Sequence, residues 1–162
     1  MAVTRTIESP VGPLTLIATE RGLRGLHFAG EQPDRVEWPD ADEDVGDPVI
    51  AAVETQLGEY FAGERTQFDI PLDLVGTPFQ VTAWTALADI PYGETVSYGE
   101  QARRIGKAGA ARAVGAANGR NPVAIVLPCH RVIGADGSLT GFGGGIDTKR
   151  ALLDLEERFR DA

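Results

Sequence analysis

The hydrophobic periodicity changes once along the chain, and that change restricts the fold more than any other feature. Between residues 3 and 28 apolar and polar side chains alternate, as in Val3-Thr4-Arg5-Thr6-Ile7 and Leu14-Thr15-Leu16-Ile17-Ala18. Ser9-Pro10-Val11-Gly12 reads as a turn, and Gly22 precedes a third run that ends near Phe28. A period of two sends successive side chains to opposite faces of a sheet. After Asp47-Pro48 the period becomes helical. Asp is a helix N-cap and Pro suits the first helical position. Val49, Ile50, Val53, Leu57, Tyr60 and Phe61 then recur at helical spacing until Gly63. Strands first and helices afterwards predict an α+β chain. The acidic stretch 30–48 holds three prolines and no period, so it reads as a surface loop. Residues 68–74 read as a further strand. Gly76-Thr77-Pro78 marks the domain boundary, giving parts 1–76 and 77–162 within a chain of 162 residues.

The second part is helical. Residues 79–89 place Val81, Trp84 and Leu87 on one face, and Pro91-Tyr92-Gly93 ends that helix. Ser97-Tyr98-Gly99-Glu100 has the spacing of a capping box, in which Ser and Glu satisfy two amides at a helix start. This helix stops near Gly106. A second one runs over 110–118, with Gly119 as its stop. Two short helices joined by a glycine-containing turn have the outline of a helix-turn-helix. The second is built from Ala110, Ala111, Ala113, Gly115, Ala116 and Ala117, flanked by Arg112 and Arg120. Small side chains let a helix approach another surface closely, either a nucleic-acid groove or a packed core. Residues 122–128 form an apolar run fenced by two prolines and read as a buried extended segment. A glycine-rich loop, 141–145, leads to a last helix over 147–159.

The net charge of −9 argues against a polyanion partner, but its distribution does not. Residues 1–76 carry five arginines against fifteen acids. The window 97–131 holds Arg103, Arg104, Lys107, Arg112, Arg120 and Arg131 against Glu100 alone. A nucleic-acid site has this footprint, and so does a solvated helical face. No apolar run reaches the ~18 residues of a membrane span, and Met1 to Arg5 shows no secretory signal. Cys129 is the one cysteine, which excludes an internal disulfide and a multi-cysteine zinc site. A reducing cytoplasmic compartment is the corresponding expectation.

Cys129 is also the candidate nucleophile. A free thiol has a pKa near ~8.5 and needs a base or a positive charge beside it at neutral pH. His130 is adjacent, yet neighbours in an extended chain point to opposite faces, so contact requires a turn or a bridging water. Glu156 borders the apolar stripe of Leu152, Leu155 and Phe159. A buried carboxylate needs a partner. His130 would complete a nucleophile, base and orienter; Arg160, four residues on, is the alternative for an exposed Glu156. Asn121-Pro122 reads as a clamp at the end of the second helix or as an ordinary turn. Tyr98 sits in the capping box with its hydroxyl free. Lys149 reads as a solvated base and His27 as structural.

The motifs now resemble a family. Ile90-Pro91-Tyr92-Gly93-Glu94-Thr95, Ser97-Tyr98, Ala111-Arg112-Ala113-Val114-Gly115, Asn121-Pro122, Pro128-Cys129-His130-Arg131-Val132 and Thr140-Gly141-Phe142 match, in order and spacing, the O6-alkylguanine-DNA alkyltransferases. The resemblance covers residues 79–156. It implies a small N-terminal antiparallel sheet with a helix, ribonuclease H-like, and a helical C-terminal domain of winged helix-turn-helix type. It further implies that double-stranded DNA containing alkylated guanine is the partner, and that Cys129 takes the alkyl group once, irreversibly, after the nucleotide is flipped from the stack. O4-alkylthymine is a second candidate lesion. His130 resembles the base acting through a water, Glu156 its orienter, Tyr98 the proton donor and Asn121 the hinge. Arg112 resembles the side chain that fills the vacated stack, with Ala113, Gly115, Ala116, Arg120 and Arg103 on the DNA surface. Val132, Phe142 and Gly143 resemble the base pocket.

Some relatives hold a structural zinc through N-terminal Cys and His residues, of which only His27 stands here, so no metal is expected. The chemistry that the resemblance implies requires no organic cofactor. No membrane partner is expected, and the chain is expected to be a monomer whose assembly along DNA stays open. Phe142 stands where many relatives carry Tyr, which removes a hydroxyl. Two other readings use the same residues. One is a non-catalytic lesion-binding module on the same scaffold, and the other is a cysteine hydrolase built on Cys129, His130 and Glu156.

Overall fold

The alternating N-terminal segment folds as a meander. The computed structural model describes residues 2–31 and 36–160. Strands β1 (Ala2–Ile7), β2 (Leu14–Thr19) and β3 (Gly22–Phe28) pair antiparallel, with Val3 opposite Ala18 and Leu14 opposite Phe28. Alternation buries Leu14 and Leu16 on one face, and the register shift at Ile17/Ala18 lets both Leu26 and Leu23 join them there, all four fully buried. Helix α1 (Pro48–Phe61) covers that face with Ile50, Val53, Leu57 and Tyr60. Its Asp47 cap accepts hydrogen bonds from the Val49 and Ile50 amides at 2.9 and 3.1 Å.

Two expectations for this half need correction. The stretch 30–48 is not loop throughout: β4 (Ala41–Glu43) adds to β1 in parallel, so the sheet is mixed, in the order β3-β2-β1-β4. A three-residue edge strand is too short to display a period. The rest of that expectation, at residues 32–35, lies outside the described residues. Residues 68–74 make no strand. They touch β3 only through the Leu23–Leu72 bridge, where Leu23 N donates to Pro71 O at 2.8 Å. Pro71 has no amide hydrogen with which to continue a ladder.

The helical half comprises α2 (Pro78–Ala86), α3 (Tyr98–Arg104), α4 (Ala111–Asn118) and α5 (Ile146–Phe159). A parallel pair of two-residue strands, β5 (Val96–Ser97) and β6 (Val132–Ile133), joins the start of α3 to the segment after Arg131. Gln101 of α3 and Asn118 of α4 exchange buried side-chain hydrogen bonds of 2.8 and 3.1 Å, which fixes the two helices against each other. Trp84 of α2 donates to the Ala117 carbonyl at 2.7 Å. The capping box falls at a different place from the expected one. Ser97 accepts from the Glu100 amide, but the Glu100 carboxylate turns to Arg103 and Arg104. Thr77 and Gln80 form the reciprocal box at the start of α2.

Residues 122–128 are buried, as expected, but not extended. The Leu127 amide returns to the Val123 carbonyl at 3.0 Å, and Ile125 holds φ at 72°. A β-branched residue rarely adopts that conformation, so the surrounding core must hold it there. Asn121 closes the fold-back from inside: its Nδ2 donates to Leu127 O at 2.8 Å and its Oδ1 accepts from Val123 N at 3.0 Å. The same segment meets the sheet, where Leu26 N donates to Pro122 O at 2.8 Å. One continuous core therefore spans both halves.

Asn121→Ala leaves a buried carbonyl and a buried amide without their side-chain partners. Its expected cost is about 1–3 kcal/mol of unfolding free energy in urea titration. A loss below ~0.5 kcal/mol contradicts the clamp.

Candidate active site

Cys129 opens a single 3-10 turn, Cys129–Arg131, set by Pro128 ahead of it. Within this turn the side chains of Cys129, His130 and Arg131 leave the backbone in different directions. Cys129 is 7% exposed and His130 wholly buried. His130 Nε2 lies 2.6 Å from Glu156 Oε2. Arg131 clamps the same carboxylate, with Nε 2.8 Å from Oε1 and Nη2 3.1 Å from Oε2, while its Nη1 donates to Ile90 O at 2.7 Å. Tyr60 of α1 donates its hydroxyl to Glu156 Oε2 at 2.6 Å, and the Gly93 amide donates to Oε1 at 3.2 Å. Glu156 is therefore a buried hub and not an exposed residue of α5. Arg160 donates instead to the Gly93 carbonyl.

These contacts set protonation states. Burial alone would raise the Glu156 pKa, but hydrogen bonds and charge from His130 and Arg131 outweigh it and hold the carboxyl far below the usual range. Burial lowers the His130 pKa, and the Glu156 hydrogen bond and charge oppose that only in part. Tyr60 stays protonated, because burial and then Glu156 push its pKa well up. An ionised Glu156 only accepts, so His130 keeps its proton on Nε2. Nδ1 then carries the basic lone pair. That atom is buried and has no hydrogen-bond partner among the described residues.

Lys149 corrects the sequence reading. It is not solvated but 1% exposed. Its Nζ donates to the Thr140 carbonyl at 2.9 Å and lies 5.9 Å from the centre of the Tyr98 ring. Burial depresses its pKa, and the negative charge available on Cys129 pulls it back. An ammonium so placed favours the thiolate. The signal was present in the sequence: Lys149, Leu152 and Glu156 follow helical spacing on one face of α5. Arg131, one of the bases of the window 97–131, is likewise buried and not part of an exposed patch.

Tyr98, half-buried at the start of α3, shares a 3.0 Å hydroxyl–hydroxyl hydrogen bond with Thr140. Both line a cavity of about 830 Å³ with Arg112, Gly115, Phe142 and Gly143. Cys129 is not part of that lining. On α4, Val114, Ala117 and Asn118 pack inward while Arg112, Ala113 and Ala116 face solvent, so the helix serves both the core and an open surface. Val132 is buried in β6 and outside the cavity lining. Arg103 pairs with Glu100 at 2.6 Å, and Arg120 lines a separate depression with Arg24 and Trp84. Among the described residues no helix is long and apolar enough to cross a membrane, and no cluster of three or more His, Cys, Asp or Glu side chains could hold a metal.

Comparison with known proteins places this geometry. Residues 78–158 match the family model of the 6-O-methylguanine DNA methyltransferase DNA binding domain, and residues 2–74 that of its ribonuclease-like domain. A methylated-DNA–protein-cysteine methyltransferase of Mycobacterium tuberculosis is 58% identical over 156 residues, 94% of this chain and 91% of that protein. One from Methanosarcina acetivorans is 49% identical over 149 residues, covering 92% of this chain and 94% of that one. The crystal structure of Mycobacterium tuberculosis OGT in complex with DNA superposes with a TM-score of 0.88 at 54% identity, over 97% of this chain and 94% of that one. The chain belongs to the 6-O-methylguanine DNA methyltransferase family.

Lys149→Met keeps the side-chain volume and removes the charge. It should slow iodoacetamide modification of Cys129 at pH 7 by about tenfold, the rate equivalent of ~1.4 kcal/mol. An unchanged rate would show that the ammonium does not act on the sulfur. The buried pair also sets acid stability. His130 and Glu156 both bind protons less readily folded than unfolded. The stability they contribute is complete above the ordinary histidine value of 6.5 and declines as pH falls, first through that value and then below the ordinary Glu value of 4.5. Urea midpoints measured from pH 8 to 4 should fall along that course, and a Glu156→Gln variant should flatten the lower limb.

Proposed function

We propose that the chain repairs alkylated DNA by moving the alkyl group of O6-alkylguanine onto Cys129, once per molecule. The observation that carries this reading is the 2.6 Å contact between His130 and the buried, ionised Glu156 immediately after the chain's one cysteine. His130 Nδ1 takes the thiol proton through one water, and Lys149 supports the thiolate. The sulfur attacks the alkyl carbon, a C–S bond forms, and the C–O6 bond breaks with its electron pair going to O6. Guanine then takes up one proton, for which the Tyr98 hydroxyl is the donor. The product is a thioether, which water does not readily cleave, and no second thiol exists to remove it.

A base inside a duplex cannot reach a sulfur that is 7% exposed, so the nucleotide must leave the stack. Extrusion costs a few kcal/mol, least for a weakly paired base. The exposed Arg112 stands in for the extruded base, and the small Ala113, Gly115 and Ala116 let α4 enter a narrow groove. Phe142 and Gly143 receive the base. The division near residues 76–77, the monomeric state and a cytoplasmic location belong to the same proposal.

Incubation with duplex DNA carrying O6-methylguanine should add one methyl group, about 14 Da by its composition, to the peptide holding Cys129. Cys129→Ser should take up none. Lesion binding with the methyl left on the base, or repeated turnover on an ester, would overturn the reading. Arg112→Ala should slow transfer from duplex DNA by at least ~10-fold more than transfer from the free base O6-benzylguanine. Equal losses would assign Arg112 to folding.

A further inference from the structure

Thr140 ties the proton donor of the site to its buried cation. Its carbonyl accepts from the Lys149 ammonium at 2.9 Å, and its hydroxyl shares the 3.0 Å hydrogen bond with the Tyr98 hydroxyl. The Tyr98 ring is held by other contacts. Tyr98 is the first residue of α3, whose cap Ser97 accepts from the Glu100 amide at 3.1 Å. One side of the ring runs along α4, where a Cβ built at Gly115 would lie 3.6 Å from it, and Lys149 Nζ lies 5.9 Å from the ring centre. These contacts place the ring and leave its hydroxyl to Thr140: among the described residues neither hydroxyl has another hydrogen-bond partner. Thr140 is exposed and lines the cavity beside Tyr98, so its side chain is not part of the core.

Two neutral hydroxyls can donate in either direction, whereas a phenolate only accepts. The direction of this bond is therefore fixed once Tyr98 gives up its proton. We propose that Thr140 is a positioning residue for the leaving-group step: its hydroxyl holds the Tyr98 hydroxyl at the cavity wall and donates a hydrogen bond to the phenolic oxygen as the Tyr98 proton passes to guanine. The C–O6 bond breaks with its electron pair on O6, guanine takes the Tyr98 proton, and the Tyr98 oxygen is left with the negative charge. That charge meets the Thr140 hydroxyl directly and the Lys149 ammonium across the ring. Solvent in the cavity then returns one proton to Tyr98, and His130 releases to solvent the proton it took from the thiol. A hydrogen bond to an ionised oxygen is about twice as strong as one between neutral groups. The contact therefore strengthens as the reaction proceeds and favours the transition state over the ground state. The proposal deepens the alkyl-transfer reading above and rests on it.

Thr140→Val removes the hydroxyl and keeps the carbonyl that holds Lys149. Two alkylations of Cys129 separate the possible roles. Methyl transfer from duplex O6-methylguanine, measured as a single-turnover rate at saturating DNA, needs a proton on the leaving group. Iodoacetamide expels iodide, which needs none. Thr140→Val should slow methyl transfer about tenfold, the rate equivalent of ~1.4 kcal/mol, and leave the iodoacetamide rate within about twofold. Thr140→Ser should restore methyl transfer to within about twofold of the wild type. In a Tyr98→Phe background Thr140→Val should cost less than about twofold, because the partner oxygen is gone. An unchanged methyl-transfer rate in Thr140→Val overturns the proposal, as does a Thr140→Ser variant as slow as Thr140→Val. Equal slowing with both reagents also overturns it and assigns Thr140 to the surroundings of the sulfur. Full slowing in the Tyr98→Phe background overturns it in favour of direct contact with the base. A wild type that reacts with iodoacetamide but takes no methyl from DNA overturns the alkyl-transfer reading itself.

Discussion

One buried carboxylate organises the site. Glu156 collects donors from α1, from the loop after α2 and from the 3-10 turn, while itself belonging to α5. These four regions come from both halves of the chain. A carboxylate this deep is costly to bury, and it stays charged because Arg131 clamps it on both oxygens. Removing one partner of such a pair costs ~3–5 kcal/mol, because the other charge is left uncompensated. The chemistry follows from the same fact. Glu156, ionised at neutral pH, fixes the His130 proton on Nε2 and frees Nδ1 as a base.

Helix α5 supplies the other charge as well. Lys149, seven residues before Glu156 on the same face, reaches Thr140 and Tyr98 and acts electrostatically on the sulfur. A single amphipathic helix thus delivers an anion to the histidine and a cation to the cysteine. The outer surface follows a similar economy on α4, whose inward side chains pack against α2 and α3 and whose outward ones are small apart from Arg112. A net charge of −9 does not oppose DNA binding in such a chain, since the acids concentrate in residues 1–76.

Much of this was legible in the sequence. The change of period separated the sheet from the helices, the Asp47-Pro48 start of α1 followed from its capping chemistry, and the stripe on α5 drew Glu156 toward His130. What was missed has physical reasons. Arg131 looked like a surface base because nothing local reveals that a guanidinium turns inward to a carboxylate twenty-five residues away. Lys149 was judged by its charge and not by its place in the α5 stripe. At Ser97 the expected reciprocal cap lost to Arg103 and Arg104, which compete for the same Glu100 carboxylate. The run 122–128 was rightly read as apolar and buried, but its fold-back depends on the Asn121 side chain bonding at both ends. Periodicity carries no trace of such a bond.

Activation of Cys129 depends on the protonation state of one imidazole. Nitrogen-15 NMR of His130 in the unalkylated protein reads it directly. The Nε2–H form, neutral at pH 7 and still neutral somewhat below 6.5, is the expected result. A proton on Nδ1, or a ring already cationic at pH 7, would contradict the account, because Cys129 would then have no base to accept its proton.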